Sequence, residues 1–283
     1  FNNALLVVQF AVSMFFIVSA LLMLQQMNYM KKRDIGFSPE QVVQLQVTQD
    51  TWENNFANTK TKLMEIPGVQ NVAKTTEVPG AKVDTNSTRF GYNGKPVDLS
   101  SVRVSTQFFQ TLNIPIKEGR SFDDEHPEDL DNTAIINETA AKMLGAKGVV
   151  GASIHFDGCD SVPYKIVGIA KDFQVQGFEN RIRPAFYSIS NAHCTYMAGS
   201  SLLLKVSSAN MDKTLAALTT TWEGIEPGMP LRYSFLDDNF ARLFENYSRV
   251  QHLVQVFTII SVTIALMGLL ALAVYVTGQR NKE

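Results

Sequence analysis

Residues 4–24 read ALLVVQFAVSMFFIVSALLML, and only Gln9, Ser13 and Ser19 interrupt the apolar run. At a rise of 1.5 Å per residue this helix covers about 30 Å, the hydrocarbon thickness of a bilayer. A cleaved signal peptide is the alternative, but it would carry a shorter apolar core, a basic lead-in and a small-residue cleavage site. No basic residue precedes this run and no A-x-A follows it. Residues 253–276 repeat the pattern at the other end, with Gln255, Thr258 and Ser261 as the main polar members. Core helices of soluble proteins seldom stay apolar on every face for so long. Two transmembrane helices therefore bracket the chain, and both ends lie on one side of the bilayer. Lys31, Lys32 and Arg33 follow the first span while Arg280 and Lys282 follow the second, so short-range charge leaves the orientation open. The start at Phe1 and the stop at Glu283 read as cuts through a larger chain.

A mean hydropathy near zero hides this segregation. No Asp, Glu, Lys or Arg occurs in residues 1–30 or 250–279. Residues 31–249 hold 23 of the 25 basic and 26 of the 27 acidic side chains, a net charge of −3. Such a mildly acidic balance gives no reason to expect nucleic acid, which demands a clustered basic face. The stretch is long enough for a core of its own in two lobes. Cys159 and Cys194 fit no metal-binding spacing; one disulfide and two free thiols both remain open. Triplets starting at Asn86, Asn137 and Asn246 match the N-glycosylation pattern.

The first helix continues past the apolar run through Met27 and Met30 and closes at Ile35-Gly36, where glycine suits a C-terminal cap. It projects as a short stalk. At the far end Asp237 can cap a helix starting at Asp238, along which Phe240, Leu243, Phe244, Tyr247, Val250 and Val254 recur at spacings of three and four. No Gly or Pro intervenes before Gly268, so one helix of about 60 Å is expected from stalk into membrane. A continuous helix transmits displacement; an amphipathic helix lying on its own domain is the alternative.

Between the stalks, residues 41–47 and 69–78 read as strands around a helix at 52–65. Residues 201–206 and 231–235 read as strands around a helix at 211–222, capped by Asn210. Two such units suggest a split, ferredoxin-like βαβ lobe with helices on one sheet face. The intervening segment predicts strands at 97–104, 133–137, 153–156, 164–170 and 185–189, with short helices at 107–112 and 138–144. The expected organisation is a membrane helix and stalk at 1–36, a porter-like lobe from 37–80 and 200–236, a β-rich inserted lobe at 81–199, and a stalk and membrane helix at 237–283.

Chemistry is sparse. The sequence has no G-x-x-x-x-G-K-[ST] loop, G-x-S-x-G elbow, H-E-x-x-H or C-x-x-C. His126, His155, His193 and His252 stand alone in sequence and read as surface or core residues. Asp123, Asp124, Glu125, Glu128, Asp129 and Asp131 lack the Gly and Glu placement of a calcium loop and read as a solvated acidic turn.

Specific strings carry more. VVQFAVSMFFIVSALLMLQQMNYMKKRDIGF (7–37) resembles the first membrane helix and stalk of FtsX-like, MacB-like ABC transporter permeases of the Bacteroidetes type. Gly119-Arg120-Ser121-Phe122, Ile135-Ile136-Asn137-Glu138-Thr139-Ala140 and Ile166-Val167-Gly168-Ile169-Ala170-Lys171-Asp172-Phe173 resemble that family's extracytoplasmic core domain. Tyr233-Ser234-Phe235-Leu236-Asp237-Asp238-Asn239-Phe240 is similar to the lead-in to the second membrane helix, and Gln279-Arg280-Asn281-Lys282-Glu283 to the start of the stretch that contacts the ATPase. The resemblance implies an α+β membrane protein with its central domain outside the cytoplasm of a bacterial inner membrane. It also implies a non-catalytic permease component, with ATP and Mg²⁺ bound by a partner ATP-binding subunit. Further implied partners are a second permease copy or half, a periplasmic adaptor or outer-membrane component, and the lipid bilayer. Force would pass through the stalk and coupling residues Phe240, Leu243, Phe244, Tyr247, Arg280, Lys282 and Glu283, in the export of peptide, drug or lipoprotein. A two-span sensor with an outer ligand-binding domain shares the topology; a membrane-anchored enzyme lacks a convergent catalytic set.

Overall fold

The computed structural model describes residues 2–32, 34–81, 87–145, 148–157, 162–177, 180–190, 201–243 and 245–280. Cys159, Cys194, His193 and Asn86 lie outside them. The chain forms two compact units: Phe1–Arg33 with Phe244–Glu283, and Asp34–Leu243.

The first unit is a helix pair, α1 (Asn2–Lys32) and α8 (Glu245–Arg280). Within them Val7–Met30 and Ser248–Ala271 are long and apolar enough to cross a membrane, and few residues of either are buried. A soluble core helix would be covered instead, so the exposed apolar surface argues for lipid. Small and hydroxylated residues form the seam between the two helices. Ser13 Oγ donates to the Ser261 carbonyl at 3.0 Å, Thr258 Oγ1 donates to the Phe16 carbonyl at 3.2 Å, and Ala265 is buried. The Phe16 and Phe257 rings stack at 6.0 Å. The pairs run in opposite sequence directions, so the helices are antiparallel. In lipid, where burial of apolar surface gives no drive, close packing and such hydrogen bonds hold helices together.

The central unit begins with a four-stranded antiparallel sheet of β1 (Val42–Gln46), β2 (Val69–Thr75), β10 (Ser201–Val206) and β11 (Tyr233–Phe235), in the order β11-β1-β10-β2. That is the order of a split βαβ repeat, the ferredoxin-like arrangement. Alternation along β1 sends Val43 and Leu45 to a face covered by α2 (Gln49–Glu53), α3 (Phe56–Met64) and α6 (Met211–Trp222), where Trp52, Leu63, Leu218 and Trp222 complete a core. The helix expected over 52–65 is two helices. The Asn54 and Asn55 side chains both donate to the Asp50 carboxylate at 2.7 Å, and their backbone amides close on the Asp50 carbonyl. Asn210 does not cap α6 with its side chain; it takes a left-handed conformation at φ 63°.

Between β2 and β10 the chain inserts a second lobe. Its sheet order is β5 (Ile116–Gly119), β8 (Tyr164–Ala170), β6 (Thr133–Asn137), β9 (Ala185–Ser188), β4 (Lys95–Arg103), β3 (Thr88–Tyr92) and β7 (Ser153–Phe156). Strand β7 also pairs with β8, so six strands close a ring and β5 lies outside it. Phe90, Phe156, Tyr164 and Phe186 fill one face, with Phe90 4.5 Å from Phe156 and 4.6 Å from Phe186 between ring centres. Strands β3 and β5 were not expected from the sequence.

A shared core fuses the lobes. Val42, Ala73 and Leu203, from the sheet face away from the helices, meet Val102, Val104, Ile135, Val167 and Tyr187. Short helix α4 (Phe108–Thr111) adds Phe108 and Phe109. Arg103, buried on β4, clamps Glu53 of α2 through both terminal nitrogens at 2.7 and 2.9 Å. Lys74 Nζ donates to the Trp52 carbonyl at 3.0 Å and lies over the Trp52 and Phe56 rings at 5.1 and 4.9 Å.

Burial pushes the Lys74 pKa down from 10.5 to about 8, with Arg103 adding to the shift and Glu53 opposing it. Between those two values the unfolded chain binds more protons than the folded one, so this group makes stability rise with pH across that window. Trp52 and Trp222, the only tryptophans, report on this lobe. Chemical denaturation of the chain in detergent, followed by their fluorescence at pH 7.5 and 10, is expected to show a rise that Lys74→Met removes. An equal rise in both proteins would refute the assignment.

Candidate functional site

The site lies where the central unit receives and releases its chain. Asp34 opens it with a turn: its Oδ1 accepts the Gly36 amide at 2.8 Å. Helix α1 therefore does not reach the expected Ile35-Gly36 end: Asp34, Ile35 and Gly36 are not helical, and Gly36 bonds to a side chain instead of a helical carbonyl. Residues 34–37 then run along 171–174. The Gln174 amide donates to the Ile35 carbonyl at 2.8 Å, and Lys171 Nζ donates to Asp34 Oδ2 at 2.8 Å. The hydrogen bond from Lys171 holds the Asp34 carboxyl below its usual pKa. Gly36 sits at φ +86°, and a Cβ there would stand 2.6 Å from the Asp172 carbonyl oxygen. Only glycine meets both demands.

The exit is built against the entrance. Helix α7 (Leu236–Leu243) starts two residues before the expected position, which places Asp237 in its first turn. Asn239 Nδ2 donates to Gln44 Oε1 at 2.8 Å and to Ser234 Oγ at 3.0 Å, pinning α7 to the four-stranded sheet. Phe240, 5 % exposed, enters the shared core with Leu236. Its ring meets that of Phe37 at 5.4 Å and 66°, and Phe37 meets Phe173 at 6.0 Å and 75°. These are edge-to-face contacts, favoured by the ring quadrupoles. Gly80, at φ +83°, lets the backbone approach: a Cβ would lie 2.6 Å from Phe240 Cδ2.

Of the expected coupling residues, Phe240 is thus a core residue of the central unit and not part of an exposed stalk. Leu243 ends α7, and Tyr247 and Arg280 belong to α8. Their side chains, and Phe244, Lys282 and Glu283 altogether, lie outside the described residues. The expected continuity of one long helix falls on Phe244 and lies outside them too.

The remaining strings that carried the resemblance are scaffold. The Asp172 carboxylate accepts from the Thr139 amide at 2.9 Å and the Thr139 hydroxyl at 2.8 Å, while its own amide donates to Glu138 Oε2. Asn137 caps α5 (Glu138–Leu144) by accepting the Ala140 amide at 2.9 Å; being buried, it is no glycan acceptor. The acidic run is only partly a solvated turn. Asp129 is fully buried, paired to both Arg120 terminal nitrogens and bonded to the Thr133 hydroxyl at 2.9 Å. Burial alone would raise its pKa, but the Arg120 pair and the Asp123 amide leave it below the usual carboxylate value. Sequence spacing gave no sign of this pair, whose partners are nine residues apart across a turn. Among the described residues no three His, Cys, Asp or Glu side chains could hold a metal ion.

A family model described as the MacB-like periplasmic core domain matches residues 4–221. The chain belongs to this family. No curated protein matches the sequence. Among solved structures, the periplasmic region of MacB from Actinobacillus actinomycetemcomitans is similar in fold, with a TM-score of 0.53 at 14 % identity, covering 74 % of this chain and 94 % of that one. The extracellular domain of the noncanonic ABC-type transporter YknZ from Gram-positive bacteria gives a TM-score of 0.45 at 15 % identity, covering 68 % and 99 %. In MacB/FtsX-like terms the chain is a permease segment, two membrane helices flanking an extracellular core domain.

If the entrance and exit share one core, damage at either should destabilise the whole central unit. Phe240→Ala is expected to cost about 3–5 kcal/mol, the range for a buried Phe, and Gly36→Ala more than about 1 kcal/mol, from positive φ and the collision with Asp172. Denaturation monitored by tryptophan fluorescence checks both. A local effect that leaves the unfolding midpoint unchanged would exclude the shared core.

Proposed function

We propose that the chain is the mechanical part of an ABC transporter permease, carrying force between the membrane and an extracytoplasmic domain. A partner ATP-binding subunit on the cytoplasmic side binds ATP and Mg²⁺ and hydrolyses the nucleotide. A second permease copy or half completes the membrane assembly, and an adaptor or outer-membrane component receives the cargo beyond the inner membrane. The work is export of a peptide, drug or lipoprotein, and this chain contributes no catalytic group.

One observation carries the reading. Segments 34–37 and 236–240, which follow α1 and precede α8 in sequence, are interlocked through Phe37 and Phe240 in a single core. Protein cores are close-packed and transmit displacement with little compression. A pull on either segment therefore reaches both lobes, whereas two separate flexible tethers would absorb it. The paired antiparallel membrane helices fit the same role, because they are held to each other by hydrogen bonds in their seam.

Leu243→Pro tests it, in the intact transporter reconstituted with its ATP-binding subunit. Proline removes an amide near the end of α7 and costs about 3 kcal/mol locally. ATP hydrolysis is expected to continue while cargo export is lost, with tryptophan fluorescence confirming that the central unit remains folded. Export that survives at the wild-type ratio to ATP consumed would overturn the mechanical role.

A further inference from the structure

An open cleft of about 470 Å³ lies beside α7 and the end of the four-stranded sheet. Gln44, Gln46, Arg232, Tyr233, Asn239 and Arg242 line it, and among the described residues no acidic one does. Its floor is already organised. Gln44 Oε1 accepts from Asn239 Nδ2, Gln44 Nε2 donates to Ser201 Oγ at 3.2 Å, and Asn239 also bonds Ser234. These groups hold one another, so the cleft does not need a ligand to set its shape. The two guanidinium groups differ from the floor: neither Arg232 nor Arg242 forms an ion pair with a described residue. Asp237 and Asp238 share α7 with Arg242 but do not line the cleft.

We infer that this cleft binds an anionic group, a carboxylate or a phosphate monoester or diester, gripped between Arg232 and Arg242. Two arginines line the one cleft, and their planar guanidinium forks match the flat or tetrahedral oxygen arrays of these anions, with charge-assisted hydrogen bonds of the strong kind. The surrounding segment carries a net charge of −3, so a pair of cations with no counter-charge among the described residues is not a consequence of general basicity. Gln46, Tyr233 and Ser234 add neutral hydrogen-bonding groups that suit the rest of a polar ligand. Two sources present this chemistry: an acidic or C-terminal carboxylate of a peptide, and the phosphate of a lipid headgroup. Arg242 precedes the apolar span by only six positions in sequence, which brings the second source into consideration.

The test uses the whole chain in uncharged maltoside micelles, titrated calorimetrically with glycerol 3-phosphate, with N-acetyl-glutamyl-glutamate, and with glycerol as the neutral control. One or both anions bind, with salt-dependent affinity, and glycerol does not. Tighter glycerol phosphate binding identifies the lipid headgroup as the source; tighter dipeptide binding identifies the peptide carboxylate. The Arg232→Gln/Arg242→Gln double variant, both side chains being exposed, keeps the wild-type fluorescence and loses at least about tenfold in affinity, the effect of removing charge-assisted hydrogen bonds. Arg89→Gln, which removes an exposed arginine paired with Asp98 elsewhere on the unit, binds as wild type. No binding of either anion, or an equal loss in the Arg89 variant, overturns the site.

Discussion

Phe37, Phe173 and Phe240 meet edge to face at the one place where the chain both enters and leaves the central unit, and the architecture depends on that contact. Each ring comes from a different segment: the residues after α1, the turn after β8, and α7. Aromatic pairs of this geometry add about 0.5–1.5 kcal/mol beyond the area they bury, so the triplet alone does not explain the fold's stability. Its importance is positional. Gly36 and Gly80 let backbones close in around the rings, where a Cβ would collide with Asp172 and Phe240.

The two-lobe build follows from how cheaply a chain can be interrupted. The split βαβ sheet needs β2 beside β10, and their register runs from Val69 opposite Val206 to Thr75 opposite Ser201. A whole β lobe lies between those strands in sequence. Loop closure grows only as the logarithm of length, about 0.6 kcal/mol per doubling. Burying one Phe or Leu side chain returns about 1.5–3 kcal/mol, and Phe108, Phe109 and Leu112 are all buried in the core that both lobes share. Burial wins, so the insertion adds to the domain where a loosely hung lobe would strain it. The Arg103–Glu53 clamp adds a polar tie between β4 of one lobe and α2 of the other.

Much of this was written plainly in the sequence, and the failures have identifiable causes. The membrane helices were legible because charge is absent from residues 1–30 and 250–279. The strands at 133–137, 153–156, 164–170 and 201–206 were legible because β-branched and aromatic residues sit between clear turns. Strand β3 was missed although Tyr92-Asn93-Gly94-Lys95 is a two-residue hairpin signal; Asn93 and Gly94 indeed take positive φ, at 49° and 73°. The break between α2 and α3 depended on side-chain bonds to Asp50, which periodicity does not record. Phe240 fell on an apolar stripe that was read as a stalk. Spacing by three and four tells which face is apolar, not whether lipid, another helix or the domain's own core covers it. Likewise, a run of six acidic residues looked solvated because the Arg that buries one of them lies upstream, on the far side of a turn.

The strings that tied the chain to permeases of this type turn out to do structural work. Arg120 neutralises buried Asp129, Asn137 caps α5, Asp172 holds the start of the same helix, and Phe173 and Phe240 join the aromatic contact. Each is satisfied inside the fold, and a group that is fully paired internally has nothing left to offer a ligand. A ligand would therefore have to be held by other positions. Gln46, Arg232 and Arg242 meet that condition: they lie outside those strings, face a cleft, and stand on elements whose positions the aromatic contact and the Gln44–Asn239 bond have already fixed. A packed platform with unspent side chains at its margin can change what it binds without changing how it folds.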